Sequence, residues 1–319
     1  MKNKLAICAA LCAMAAMIGA SSQVISSCRY GLQLCVELIL PSLFPFFVVS
    51  ILLSRLGFPL MLGRLLAPAA ARLFRISGEG ASAFLIGLTG GYPLGAAYIA
   101  DMEKSGAVSK EEAERLLAFC NNSGPAFIIG AVGIGVFGSA KAGLMLYLIH
   151  ICAAACTGLL FRRSGPAEIK RPCETPLVLP LSRALPEAVQ QAVISVLSVC
   201  GFVVCFTVFT GLLDTNGFFS LLAGHLASAT GMELHWCRSL LCGLLELGSG
   251  AGTMRGLSLS ARNLALAASL LSWGGLSVHL QTLSVLSESK IKGALHFAGR
   301  LISACIAAVL GLAAGTIWF

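Results

Sequence analysis

The sequence predicts an all-α polytopic membrane protein, built as an inverted-topology repeat with two re-entrant hairpins and two broken transmembrane helices. Three observations predict it. Of 319 residues, 57% are hydrophobic and 11% charged, whereas a soluble domain carries roughly 25% charged residues. Several apolar runs reach or approach the roughly 20 residues a helix needs to cross the hydrocarbon core. Two pairs of these runs are interrupted by helix-breaking residues, at matching distances along the chain. The sequence has no alternating strand pattern of the kind a membrane barrel needs. The net charge of +8 does not require nucleic acid, because the Lys and Arg residues lie mostly in loops that flank apolar runs, as the positive-inside bias expects.

Residues 1–25 read as an N-terminal span or signal anchor: Lys2 and Lys4, an apolar run, then small residues at 19–22. A cleaved signal peptide shares that layout; an uncleaved span is the simpler reading for a chain that is membrane-embedded throughout. Tyr30 then starts outside. A first repeat, 31–161, opens with a span at 31–55 that Pro41 and Pro45 should kink near mid-membrane. Glu37 above the kink either faces a cavity or reaches the interface. Arg55, Arg64, Arg72 and Arg75 mark an interfacial amphipathic helix on the cytoplasmic face.

The apolar run 81–99 is broken at its centre by Gly90-Gly91-Tyr92-Pro93. If it crossed fully, the basic segment 101–115 would lie outside; the positive charge balances only if the run turns back as a hairpin. Ser109 and Glu112 form a capping box for the next helix, and Gly106 ends the helix before it. Residues 116–137 then cross outward through a second break, Asn121-Asn122-Ser123-Gly124-Pro125. In lipid, unpaired backbone survives only where it is buried in protein or lines a polar cavity. Two breaks close together therefore point to a binding site.

Residues 142–161 return, and 162–183 form an extended cytoplasmic linker rich in Arg162, Arg163, Lys170, Arg171 and Arg183 and in Pro166, Pro172, Pro176 and Pro180. A second repeat, 184–319, follows in the opposite sense. Residues 188–212 run outward, the turn from Asp214 to Gly217 lies outside, and 240–255 form a hairpin entering from outside. Residues 263–286 cross inward through a break at Trp273-Gly274-Gly275 to Lys290 and Lys292, and 295–318 end outside. The two halves are offset by about 152 to 156 residues at both breaks, and such half-to-half correspondence is the mark of transporter folds with a site at the midplane. Arg238, Arg255 and Arg262 fall on the outer side, against the positive-inside bias.

The candidate solute-contacting residues are those of the four breaks and hairpin tips: Gly90, Gly91, Tyr92, Pro93, Asn121, Asn122, Ser123, Gly124, Glu246, Ser249, Ser272 and Trp273. The half-helix that starts after Pro125 points its positive dipole end at the second break, which favours an anionic group. Glu246, flanked by Leu244, Leu245 and Leu247, is the only acidic residue in either hairpin tip. Burying a carboxylate costs several kcal/mol unless it is neutralised or paired. It either loads a proton or cation or pairs with Arg238 or Arg255.

No H-E-x-x-H, G-x-S-x-G or Walker motif occurs, so no catalytic residue and no enzyme activity is expected. His150, His279 and His296 stand alone on apolar segments and read as packed or interfacial residues, because metal sites need clustered ligands. The 13 cysteines lie mostly in apolar runs without metal spacing and read as packing residues. No metal, cofactor or nucleic acid is expected; membrane lipid is.

At 40–47, at Gly90-Gly91-Tyr92-Pro93-Leu94-Gly95-Ala96 and at Phe119-Cys120-Asn121-Asn122-Ser123-Gly124-Pro125, the sequence resembles a family of sporulation integral membrane proteins of spore-forming Gram-positive bacteria. It is also similar to the wider nucleoside recognition, or Gate, domain family. That family includes spore maturation proteins, the membrane region of ferrous iron transporter B and concentrative nucleoside transporters. The resemblance implies a multi-pass protein of the cell membrane, acting in the mother cell or developing spore, with a pathway for a small polar or anionic solute. It equally allows a non-transporting component for assembly of the spore envelope or cortex, partnered by copies of itself or by other sporulation membrane proteins.

Overall fold

The computed structural model describes residues 2–162, 178–215 and 217–318. Among the described residues the chain forms fifteen α-helices and two π-helical segments. Five helical stretches are long and apolar enough to cross a membrane: Ser21–Arg55, Ala140–Leu160, Leu181–Thr215, Ala261–Leu286 and Ala294–Trp318. Large apolar side chains such as Leu197, Leu301 and Val309 stand 57–68% exposed on these stretches, as expected where lipid rather than water is the solvent. This is an all-helical polytopic membrane protein.

Helix α1 (Lys2–Gly19) leads into α2 (Ser21–Leu34), a π-helical turn (Cys35–Ile39) and α3 (Leu40–Arg55), which together form one rod. The rod starts at Ser21, ten residues earlier than the sequence suggests, because the run from 21 to 30 continues the helix. Pro41 lacks an N–H and crowds the carbonyl four residues back. The helix widens to the π form immediately before it, and the Ser42 hydroxyl donates to the Leu38 carbonyl at 2.6 Å. Glu37 is exposed, bonded to Gln33 at 2.8 Å, and points away from the interior.

Helix α4 (Phe58–Leu73) carries Arg64 and Arg72 on its exposed side and packs on α5 (Gly78–Gly90). After the break at Gly91, α6 (Leu94–Lys104) runs back beside α5. The hairpin is tight because Gly95 rests on Gly87, with both against the Cys120 carbonyl: a Cβ added at Gly95 would stand 3.1 Å from the Gly87 Cα. Gly106, at φ 75°, ends α6 with the Ala107 N–H on the Met102 carbonyl at 2.9 Å. Helix α7 (Lys110–Cys120) is capped by Ser109, whose hydroxyl accepts the Glu112 N–H at 3.2 Å. The other half of the expected capping box is not made. The Glu112 carboxylate instead accepts the Ser77 N–H at 2.7 Å, tying α7 to the start of the hairpin. Past its break, α7 continues as a π-helical segment (Ala126–Ile134), and α8 (Ala140–Leu160) returns.

The second half repeats this order. Helix α9 (Leu181–Thr215) is followed by α10 (Phe218–Thr230), and α11 (Leu234–Leu245) and α12 (Leu247–Thr253) form the second hairpin. Helices α13 (Ala261–Trp273) and α14 (Gly275–Leu286) form the second broken helix, and α15 (Ala294–Trp318) closes the chain. Gly243 and Gly250 meet across the second hairpin as Gly87 and Gly95 do across the first, at offsets of 156 and 155 residues. Helix α15 lies along both broken helices: Gly299 is pressed on Ala118 of α7, and Gly311 and Gly315 on Ala265 and Ala261 of α13.

The two hairpins open toward opposite ends of the molecule. Lys104, at the open end of the first, pairs with Glu288 at 3.0 Å, and the Lys292 N–H donates to Glu114 at 3.0 Å. At the open end of the second, Arg238 pairs with Asp214 at 2.7 Å, and a Cβ at Gly252 would meet the Tyr30 hydroxyl at 3.0 Å. Linker residues 163–177, and Asn216 in the turn, lie outside the described residues. Where the chain resumes, the Leu179 N–H donates to the Arg55 carbonyl at 3.1 Å.

Residues 101–115 dock on 287–293, so the two segments are expected on one side of the membrane, and by the positive-inside bias their lysines predict that this side is the cytoplasm. In a cysteine-depleted background, Ser105→Cys and Ser287→Cys should both resist an impermeant thiol reagent added to intact cells and both react after permeabilisation. Labelling of either one from outside would break the hairpin topology.

Candidate functional site

Each break leaves backbone groups that the helix no longer pairs, and each is met by a side chain from another element. At the end of α5, the Leu88 carbonyl accepts from the Tyr147 hydroxyl of α8 at 3.2 Å and the Thr89 carbonyl from Ser50 of α3 at 3.3 Å. At the end of α11, the Leu244 carbonyl accepts from the Trp273 indole at 3.0 Å. At the end of α13, the Leu271 carbonyl accepts from the Ser123 hydroxyl at 3.0 Å and, more weakly, from Tyr92 at 3.5 Å. These bonds bring the four breaks together.

Glycine makes the close approach feasible. Gly91, at φ 78°, sits so near the first unwound segment that an added Cβ would be 2.7 Å from the Gly124 nitrogen. Gly275, at φ 80°, holds the same relation to the second hairpin tip, with the Leu247 nitrogen at 2.9 Å. Each hairpin tip thus rests on the unwound segment of its own half. Tyr92 crosses to the other half, where a Cβ at Gly274 would meet its ring at 3.2 Å.

A cleft opens between them. Gly90, Gly91 and Tyr92 of the first tip, Ser123 and Gly124 of the first unwound segment, Glu246 and Gly248 of the second tip, and Gln281 of α14 form its polar side. Ile39, Leu43, Phe46 and Phe47 of the proline-rich rod and Val199 and Val203 of α9 form the apolar wall.

Six of the twelve sequence-derived candidates therefore line the cleft: Gly90, Gly91, Tyr92, Ser123, Gly124 and Glu246. The other six stand behind it. Asn121 accepts the Ala96 N–H at 3.2 Å and donates to Thr282 at 2.9 Å, and Asn122 donates to the Phe119 carbonyl at 2.8 Å. Both are fully buried. Ser249 bonds Thr207 at 3.0 Å, Ser272 bonds His150 at 3.0 Å, Trp273 caps α11, and Pro93 sits at the start of α6.

Glu246 pairs with neither Arg238 nor Arg255. Its carboxylate folds over the start of α12, accepting the Gly248 N–H at 2.8 Å and the Ser249 N–H as well. The first four N–H groups of a helix have no acceptor within it; Glu246 takes two of them, so the residue that ends α11 also caps α12. Ser277 stands beside it on α14.

Histidines that look isolated in the sequence are linked in space. His150 Nε2 accepts the Ser123 N–H at 3.2 Å, which leaves Nδ1–H to face Ser272 and joins the two broken helices. His279 and His296, 17 residues apart, meet at 3.1 Å, and His296 Nδ1 faces the Leu117 carbonyl at 3.3 Å. A carbonyl only accepts, so His296 Nδ1 carries the proton and its Nε2 receives the His279 Nδ1–H.

Sequence reading missed Arg300, the largest fully buried side chain described. From α15 one guanidinium nitrogen donates to the Asn121 carbonyl and, at 2.9 Å, to the Asn122 side-chain oxygen; another reaches Ser303 at 3.0 Å. An arginine inside an apolar span is itself a functional signal, and that signal was available at position 300. Gln281, 5% exposed and lining the cleft, was equally legible as an amide on an apolar helix.

No family model matches the chain. It is 31% identical over 309 residues to the sporulation integral membrane protein YlbJ of Bacillus subtilis (strain 168), a match that covers 88% of this chain and 75% of that one. Among solved structures, a doubly substituted CNTnw in an outward-facing state is similar, with a TM-score of 0.54 at 15% identity over 94% of this chain and 86% of that one. At that identity the likeness is one of fold. The apolar spans and the extent of the sequence match make this a multi-pass protein of the cell membrane, and it belongs to the family of the sporulation integral membrane protein YlbJ.

Proposed function

We propose that this protein is a transporter or gate that carries a small polar or anionic solute across the cell membrane during sporulation. The observation that carries the reading is that three of the four backbone breaks line one cleft, while the fourth packs behind it and the helix that follows it, α14, completes the lining. Such breaks are tolerated in lipid where protein covers them or a polar cavity needs them, and in broken-helix transporters the solute site lies where the two repeats meet. An apolar wall with a few polar groups is the ordinary make-up of a small-molecule site. The start of the π-helical segment after Pro125 faces the cleft through Ala126 and Phe127, which favours a negative group on the solute.

No catalytic step is assigned. The Ser123 hydroxyl is committed to the Leu271 carbonyl, and it is the backbone N–H of Ser123, not its hydroxyl, that meets His150.

The test is a thermal-shift screen of the purified protein against small polar and anionic solutes. A ligand at 100 times its Kd should stabilise the fold by about 2.7 kcal/mol. Val199→Phe, which fills the cleft from the half-exposed wall of α9 without touching a break, should abolish the shift while leaving the unliganded Tm near that of the wild type. A shift that survives Val199→Phe would place binding elsewhere. Absence of any shift across the panel, together with normal sporulation in the Val199→Phe strain, would favour an assembly role in the spore envelope.

A second expectation follows from Glu246. Glutamine offers one acceptor oxygen where the carboxylate offers two, so one N–H at the start of α12 loses its partner. Glu246→Gln should lower stability by about 1–3 kcal/mol in the absence of any solute, seen as a lower Tm. A Tm equal to the wild type would show that the carboxylate does not hold the hairpin tip.

A further inference from the structure

The unwound end of α7 has the donor set of an alkali-cation site. Its oxygens are neutral: the Asn121 backbone carbonyl and the Asn122 side-chain carbonyl, joined by the Ser303 hydroxyl of α15, with the face of the Tyr92 ring 6.0 Å from the guanidinium carbon of Arg300. The two asparagine oxygens stand at the C-terminus of α7, where the peptide dipoles concentrate negative potential. In broken-helix transporters, freed carbonyls and half-helix C-terminal ends of this kind coordinate Na⁺ or accept a proton. Here they converge on the Arg300 guanidinium.

Two further observations separate this arrangement from an ordinary structural ion pair. Arg300 is 0% exposed, yet among the described residues no Asp or Glu pairs with it. A buried guanidinium normally has a carboxylate partner. In addition, its Nε has no hydrogen-bond partner, so the side chain is not held by a full guanidinium cage. What holds it is the group of neutral oxygens around its two terminal nitrogens.

We propose that Arg300 is a tethered cation that fills, at the unwound end of α7, the place a dissolved alkali cation takes in a broken-helix transporter. The charge arrives on α15 and cannot leave. The geometry of the break is therefore fixed without Na⁺ or K⁺. The inference takes its functional meaning from the transporter reading, but its test uses salts alone and stands or falls without a solute.

The experiment is the Tm of the full-length purified protein in NaCl, KCl and choline chloride at equal ionic strength. The wild type should melt at the same temperature in all three. A saturable rise of about 3 °C or more in NaCl or KCl over choline would overturn the proposal. Arg300→Ala vacates the oxygens, so it should melt lower in choline and recover at least half of the loss in NaCl, KCl or low guanidinium. An Arg300→Ala protein that folds and ignores all three cations would also overturn it. If Arg300→Ala does not fold, Arg300→Lys and Arg300→Met decide: Lys should fold and remain indifferent to salt while Met fails, and equal folding of the two would show that the charge is not what the oxygens require.

Discussion

Pairing of backbone groups inside lipid is the constraint on which the rest of this structure depends. A continuous helix satisfies it without help, whereas an interrupted one transfers the requirement to its neighbours. Four interruptions meet here, and the side chains that answer them come from α3, α8, α13 and α15 as well as from the breaks themselves: Ser50, Tyr147, Trp273, Arg300, Ser123 and Tyr92. Several of the polar residues that looked like solute ligands therefore spend their hydrogen-bonding capacity on the protein. Asn121 and Asn122 maintain the unwound segment, and the cleft is left to groups beside them.

Glycine sets the second condition. Gly87 with Gly95 and Gly243 with Gly250 let the two arms of each hairpin touch backbone to backbone, and Gly91 and Gly275 let the unwound segments meet the tips. Interhelical contact through small residues is how membrane helices gain packing without a hydrophobic drive. The same pairs recur in both halves at nearly one offset, so they define the repeat more sharply than the sequence identities do.

Much of this was legible in the residues. The breaks, the hairpins, the repeat offset and the grouping of 101–115 with 287–293 follow from Gly, Pro and Asn in apolar runs and from where the lysines fall. The cleft-facing half of the candidate site follows as well, because chain interruptions in lipid have few uses. What stayed hidden depends on which side chain reaches which orphaned group. Glu246 could not be read as a cap because α12 is too short to announce itself, and Glu112 could not be matched to Ser77 across 35 residues. The partners of Arg300 could not be read, although a basic residue six positions into the last span was itself a signal. The partnership of His279 with His296 needs two helices to be aligned before it exists.

Helix α15 bears on both broken helices at once: Gly299 on α7 near one end, Gly315 on α13 near the other, and Arg300 fixed to the unwound segment close to the first contact. A rigid rod held this way behaves as a lever whose pivot is the arginine. The two contacts lie 16 residues apart, about 24 Å along the helix axis, so a tilt of a few degrees about the pivot displaces the far contact by an ångström or more while hardly moving the near one. A tilt of α15 would therefore shift its contact with α13 more than its contact with α7.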